Sequence, residues 1–195
     1  MDSLAPDAVR PLLRGRFGGV YHYAEVAPST QRMLGNDEDE GAVAVAEEQT
    51  EGRGRLGRRW EAPRGLGILV SVLLRPAVKS PRLPELSLVA GGAVALAIAE
   101  VTGLEPAIKF PNDVLIGGRK VAGILAESSE GRVVLGIGVN ANQTAEELPP
   151  DTVTPPTSLS VELGKPIDRA PLLAAILLQL ERAYDAWATG SAGPG

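Results

Sequence analysis

The stretch "EEQTEGRGRLGRRWEAPRG", Glu47 to Gly65, sets Arg53, Arg55, Arg58 and Arg59 among close-spaced glycines and follows them with Trp60. Arginine is a rigid, permanently charged fork that matches the oxygens of carboxylate and phosphate. Glycines between such residues let backbone N–H groups converge on one anion as a nest. Trp60 adds a flat apolar face suited to a ring. This combination points to the handling of a small anionic reactant under a loop able to fold over it.

Other uses of the loop fit less well. "GRGRLG", Gly52 to Gly57, has the letters of a dinucleotide fingerprint, but that site needs its glycines to open a helix. It also needs an acidic residue about 20 positions on. Here Pro63 and a strand follow, and "SVLLRPA", Ser71 to Ala77, holds no acid. There is no Walker A pattern. A net charge of −5 and an aromatic content of 4% argue against a nucleic-acid surface. The plainest alternative is a solvated basic loop.

A second constellation is "KFPNDVLIGGRKVAGILAE". Lys109 sits at a strand end, Pro111 fixes the backbone, and Asn112 and Asp113 project polar groups. Across a hairpin, Lys120 enters the next strand, which carries Gly123. Two lysines, an amide and a carboxylate on facing strands suit anion binding and proton removal. An ordinary surface hairpin uses similar turn residues. "GIGVNAN", Gly136 to Asn142, ends a buried strand with glycines and Asn140, either for a ligand lying on bare backbone or for tight sheet packing. His22, the only histidine, reads as a strand or surface residue rather than a base.

These groups need a scaffold, and 195 residues suffice for one domain with a full core. Hydrophobic and charged fractions of 44% and 22% are those of a soluble protein. The absence of cysteine excludes disulfides and thiolate chemistry and fits a cytoplasmic setting. No signal pattern opens the chain, and the apolar run Leu86 to Ala99 is too short for a bilayer and reads as a buried helix. Strands are expected over Val20–Val26, Gly41–Thr50, Leu66–Pro76, on both sides of a tight Gly-Gly turn at 117–118, and over Arg132–Asn142.

Helices are expected from Ser29, from Pro84 to a stop at Gly103, and over Asp168–Ala188, with Asp168 as N-cap. Asn36–Glu40 reads as a solvated acidic loop. Residues 1–19 read as a loosely tied lead-in with one short helix, residues 20–190 as the functional domain, and 191–195 as a tail. Hairpins beside helices indicate an α+β fold, a mixed β-sheet backed by helices.

Taken together, "STQ" (Ser29 to Gln31), "QTEGRGRLGRRW", "KFPNDVLIGGRKVAGILAE", "GIGVNAN" and "TSL" (Thr157 to Leu159) resemble, in order, the catalytic domain of biotin protein ligases, the biotin–[acetyl-CoA-carboxylase] ligases. The resemblance covers about residues 20–190. It implies the fold of class II aminoacyl-tRNA synthetases and biotin synthetases. It further implies that ATP, with Mg²⁺, and biotin give biotinyl-5′-AMP, from which a lysine of a biotin carboxyl carrier protein takes the biotinyl group.

Position by position, the resemblance places Ser29, Thr30, Gln31 and Gln49 at the biotin ureido end, with Gly123 also against biotin. Arg53, Gly54 and Arg55 form the loop over the biotin carboxylate and adenylate phosphate. Lys120 reaches the reacting groups. Arg58, Trp60, Asn112 and Asn140 lie toward the nucleotide, and Lys109 toward the phosphates. Asp113 holds Mg²⁺ or orients the incoming lysine. Arg55, Lys120 and Asp113 are thus the expected catalytic residues. No nucleic acid or membrane partner is implied, and a homodimer is compatible.

The chain departs from the family pattern in three places. Gln31 stands where Asn is usual, and Phe110 where Trp is commoner. No C-terminal barrel is evident after the last helix, and no N-terminal DNA-binding domain is expected, so neither is a repressor role. The rivals are a lipoate or octanoyl ligase, which lacks so arginine-rich a loop, and a non-catalytic biotin binder.

Overall fold

The computed structural model describes residues 3–77, 84–150 and 153–190. Its centre is a seven-stranded sheet in the order β1-β2-β3-β7-β6-β5-β4. The strands are β1 (Tyr21–Ala27), β2 (Val43–Gln49), β3 (Gly67–Leu74), β4 (Ala107–Lys109), β5 (Asp113–Ile116), β6 (Arg119–Ser129) and β7 (Arg132–Asn140). Only β1 and β2 run parallel; every other neighbouring pair is antiparallel. The expected mixed sheet is therefore present. The tail at 191–195 lies outside the described residues.

Strand alternation sends one set of side chains to a helix-covered core. Ile68, Val70, Val72 and Leu74 of β3 and Leu135, Ile137 and Val139 of β7 belong to it. Over them lie α2 (Glu85–Thr102), through Leu86, Ala90, Val94 and Ile98, and α4 (Arg169–Ala188), through Leu173, Ile176, Leu177 and Leu180. Each fully buried Leu or Ile adds roughly 1.5–3 kcal/mol. Gly103 ends α2 at φ 73°, a left-handed position that favours glycine. Asp168 caps α4 by accepting from Ala170 N. By length and composition α2 reaches the minimum for crossing a bilayer, contrary to the expectation from its apolar run, yet one side of it is built into this core.

Four segments differ from the sequence expectations. Residues 3–19 carry the expected short helix, α1 (Pro6–Val9), and a 3₁₀ turn after it, but they are anchored to the core by Leu4, Val9 and Phe17, which are buried. The acidic loop is not simply solvated. Arg75 donates to the carbonyls of Asn36 and Glu38, and Glu40 accepts from Arg75 N and from the Tyr184 hydroxyl. The segment from Ser29 makes one 3₁₀ turn (Thr30–Met33) instead of an α-helix, and Ser29 makes no side-chain cap. A short α3 (Leu159–Leu163), capped by Ser158, forms where no helix is expected.

One polar cluster crosses the core. Arg169, at the start of α4, donates to Glu47 Oε2 at 2.7 Å and to Gly67 O at 2.8 Å. Glu47 Oε1 accepts from Leu4 N at 2.9 Å. This pair ties the N-terminal segment, the end of β2 and the start of β3 to α4, just ahead of the arginine loop.

Candidate active site

The sheet face away from the helices carries a floor without side chains. Gly123 of β6 is in register with Gly138 of β7, and Gly136 lies between Ser71 of β3 and Leu125 of β6. Two side chains lie on these glycines. A Cβ on Gly136 would stand 3.2 Å from Gln31 Nε2, and one on Gly138 would stand 2.3 Å from Trp60 Cε2. One on Gly123 would meet Trp60 Cζ3 at 2.8 Å. The indole's approach thus leaves no room for a side chain at Gly138 or Gly123, while at Gly136 the fit against Gln31 is tight.

At one end of the floor, the turn after β1 presents Ser29, Thr30 and Gln31, which are 2%, 3% and 9% exposed. No charged group is among them. Thr30 donates from both its backbone N (2.7 Å) and its hydroxyl (3.1 Å) to Gln49 Oε1 at the end of β2. Gln31 Nε2 donates to the carbonyls of Leu125 and Val134. These uncharged donors and acceptors form a neutral hydrogen-bonding recess.

The arginine loop covers the middle of the groove. It folds back on itself, with Arg53 bridged to Arg59 and Gly54 N donating to Arg58 O at 2.7 Å. Gly52 is needed there, since a Cβ would stand 2.1 Å from Trp60 O. At the tip, Leu56 holds φ 58°. Arg53 donates to Glu127 Oε2 at 2.5 Å and to Gln31 Oε1 at 3.3 Å. Arg55 donates to Asn112 Oδ1 at 3.2 Å. Glu127 was not anticipated: it reads as an ordinary strand residue until the loop is laid across β6.

At the other end, Lys120 Nζ stands 2.7 Å from Asp113 Oδ1 and 5.5 Å from the Trp60 ring centre. Asn112 is fixed by donating from Nδ2 to Ile124 O at 3.0 Å, while Ile124 N donates back to Asn112 O at 2.9 Å. Lys109 Nζ donates to Thr154 Oγ1 at 2.7 Å. The loop carrying Thr154 is stitched to β6 by Lys120 N to Pro155 O and Thr157 N to Lys120 O. Asn140 donates to Thr157 O and accepts from Gln143.

Two adjoining cavities result. The inner one runs along the glycine floor from Ser29 and Thr30 to Lys120 and has only about 50 Å³ of free space, because Trp60 fills it. The outer one, about 320 Å³, is walled by Arg55, Arg58, Trp60, Asp113, Asn140 and Thr154. Of the residues expected from sequence, the inner cavity gathers Ser29, Thr30, Gln31, Gln49, Arg53, Gly54 and Gly123. Arg55, Trp60, Asn112 and Lys120 border both, and Lys109 reaches the outer one through Thr154. His22 is remote, on β1 with its Nε2 3.0 Å from Glu38 Oε1.

Chemically, a neutral recess leads to a cationic end that also carries the carboxylates of Asp113 and Glu61, so the groove suits a ligand with an uncharged polar head and an anionic tail. Known proteins show the same arrangement of sequence. Residues 23–143 match the family model described as the biotin/lipoate A/B protein ligase family. The chain is 41% identical to the bifunctional ligase/repressor BirA of Bacillus subtilis, over 85% of this chain and 53% of that protein. It is also 41% identical to the biotin–[acetyl-CoA-carboxylase] ligase of Mycobacterium tuberculosis, over 76% of this chain and 56% of that one. The chain therefore spans about half the length of the curated relatives it matches. Its fold superposes with a TM-score of 0.79 on the biotin protein ligase of Aquifex aeolicus in complex with biotin and ATP, at 34% identity, covering 87% of this chain and 72% of that one.

Proposed function

We propose that this chain, which belongs to the biotin/lipoate A/B protein ligase family, activates biotin with MgATP and transfers it to a lysine of a biotin carboxyl carrier protein. The observation that carries the choice of biotin is the recess at Ser29, Thr30 and Gln49. A cyclic urea offers N–H donors beside a C=O acceptor, and the recess offers matching neutral groups, Ser29 and Thr30 buried and Gln49 half-buried. A dithiolane or plain acyl chain has nothing to pair there, and buried polar groups left unpaired cost affinity. The relatives' names and the biotin–ATP complex of the Aquifex aeolicus protein support the same reading.

In the first step, a biotin carboxylate oxygen attacks the α-phosphorus of ATP and pyrophosphate leaves, giving biotinyl-5′-AMP. Two anions must approach, so cations aimed at the meeting point lower the barrier. Lys120, at the junction of the two cavities, takes that role, and Arg53 and Arg55 close over the carboxylate and phosphate. The adenosine occupies the outer cavity, beside Arg58, Asn112 and Asn140, with Lys109 toward the phosphates. Mg²⁺ enters with the triphosphate as part of the substrate. In the second step a lysine amine attacks the acyl carbon, AMP leaves, and Asp113 accepts the proton or orients the amine. The loop also shields the mixed anhydride from water.

Incubation of the chain with biotin, MgATP and a carrier domain tests this reading. Biotin on one carrier lysine, dependent on ATP, is the expected product. Biotin binding without any transfer would favour the non-catalytic binder.

A further inference from the structure

Beneath Thr30, one layer into the sheet, lies a hydroxyl that no substrate-contact argument reaches. Ser71 of β3 is fully buried, in register with Gly136 and Ala44, and its Oγ stands 2.8 Å from Thr30 Oγ1. Thr30 N can only donate, so the Gln49 atom 2.7 Å away must be the amide oxygen. The Thr30 hydroxyl has a single proton, and at 3.1 Å the same oxygen is its acceptor. Either hydroxyl can donate in the 2.8 Å contact with Ser71; with the Thr30 proton on Gln49, the donor is Ser71.

The chain thus runs Ser71 O–H to Thr30 O–H to Gln49 C=O. It takes up the Thr30 proton and one of its two lone pairs, which leaves one lone pair free. It also turns the Gln49 NH₂ away from Thr30. We infer that Ser71 is a positioning residue that holds the Thr30 hydroxyl with its remaining lone pair toward a urea N–H of the ligand. The inference rests on the reading of the recess as the biotin ureido site and names the part of that site that selects N–H over other substituents. Without Ser71 the hydroxyl keeps its bond to Gln49 but loses the anchor that fixes its rotamer and acceptor direction.

Calorimetric titration of biotin into wild type, Ser71→Ala, Thr30→Val and the double variant tests it, with biotin methylated at either urea nitrogen as the comparison ligand. Ser71→Ala should weaken biotin about five- to tenfold, the scale of one hydrogen bond. It should narrow the discrimination against one of the two methylated ligands and have no further effect in the Thr30→Val background. In pyrophosphate release the loss should fall on KM for biotin, with KM for ATP unmoved. Wild-type-like binding by Ser71→Ala overturns the inference. So does an equal loss for biotin and both methylated ligands, or an equal loss in the Thr30→Val background, since either marks general loosening. If Ser71→Ala does not fold, Ser71→Cys, a weaker donor, should give the same pattern at smaller amplitude. Wild type that binds no biotin would overturn the reading of the site itself and the inference with it, which separates the two failures.

Discussion

The indole of Trp60 lies against the bare backbone of Gly138, so close that a Cβ there would fall 2.3 Å from Trp60 Cε2. A flat ligand resting on the glycine floor must displace it. Trp60 Nε1 is buried without a partner among the described residues, and such a group costs roughly 1–3 kcal/mol. That unmet bond lowers the cost of moving the indole. In a Trp187→Phe background Trp60 is the only tryptophan, and its emission should change as biotin is added, saturating with the binding curve. Biotin binding with unchanged emission would contradict the displacement.

Arg55 reaches Asn112 across the groove, and this contact closes the loop over the cavity. Arg55→Gly should loosen the closed state, so that biotinyl-5′-AMP escapes and labels bystander lysines. Mass spectrometry of an added unrelated protein reads this directly. Unlabelled bystanders would remove Arg55 from the clamp.

Lys120 is paired with Asp113 at 2.7 Å, and their side chains keep 23% and 17% exposure. Lys120→Ala should slow pyrophosphate release about 10²–10³-fold, as expected for losing one preorganised charge-stabilising group. Because the pair is partly solvated, the unfolding midpoint should shift little. Full activity of the variant would exclude Lys120 from the chemistry.

The Glu47–Arg169 pair is a structural feature, its side chains only 7% and 1% exposed. Arg169→Met leaves Glu47 buried without its cation, at a cost of about 3–5 kcal/mol. Adding Glu47→Gln should recover part of that loss. Urea unfolding of wild type and the two variants checks both expectations, and an Arg169→Met variant as stable as wild type would refute the first.

Much of this was legible in the chain. The positive φ values at Gly117 and Gly118 match the turn read from "IGGR", and Asp168 caps the helix it was expected to open. What stayed hidden depends on distant partners. Ser29 and Thr30 look like helix caps, but Thr30 spends its hydroxyl on Gln49 and Ser71 instead of its own helix. Glu127, Ser71 and Glu47 occupy strand positions with no local signature, and only the sheet order brings them to Arg53, Thr30 and Arg169. Trp60 was expected by the nucleotide. It borders the outer cavity, but its ring rests on the neighbouring floor, a placement made by the loop's return and two distant glycines.

Pyrophosphate release by the 195-residue chain with MgATP, measured with biotin, lipoate and octanoate in parallel, tests the central claim most directly. The account predicts release with biotin and none above background with the other two. Release with lipoate or octanoate but not with biotin would contradict the neutral recess as a urea site. Silence with all three, despite biotin binding, would contradict the adenylation chemistry assigned to Lys120 and the arginine loop.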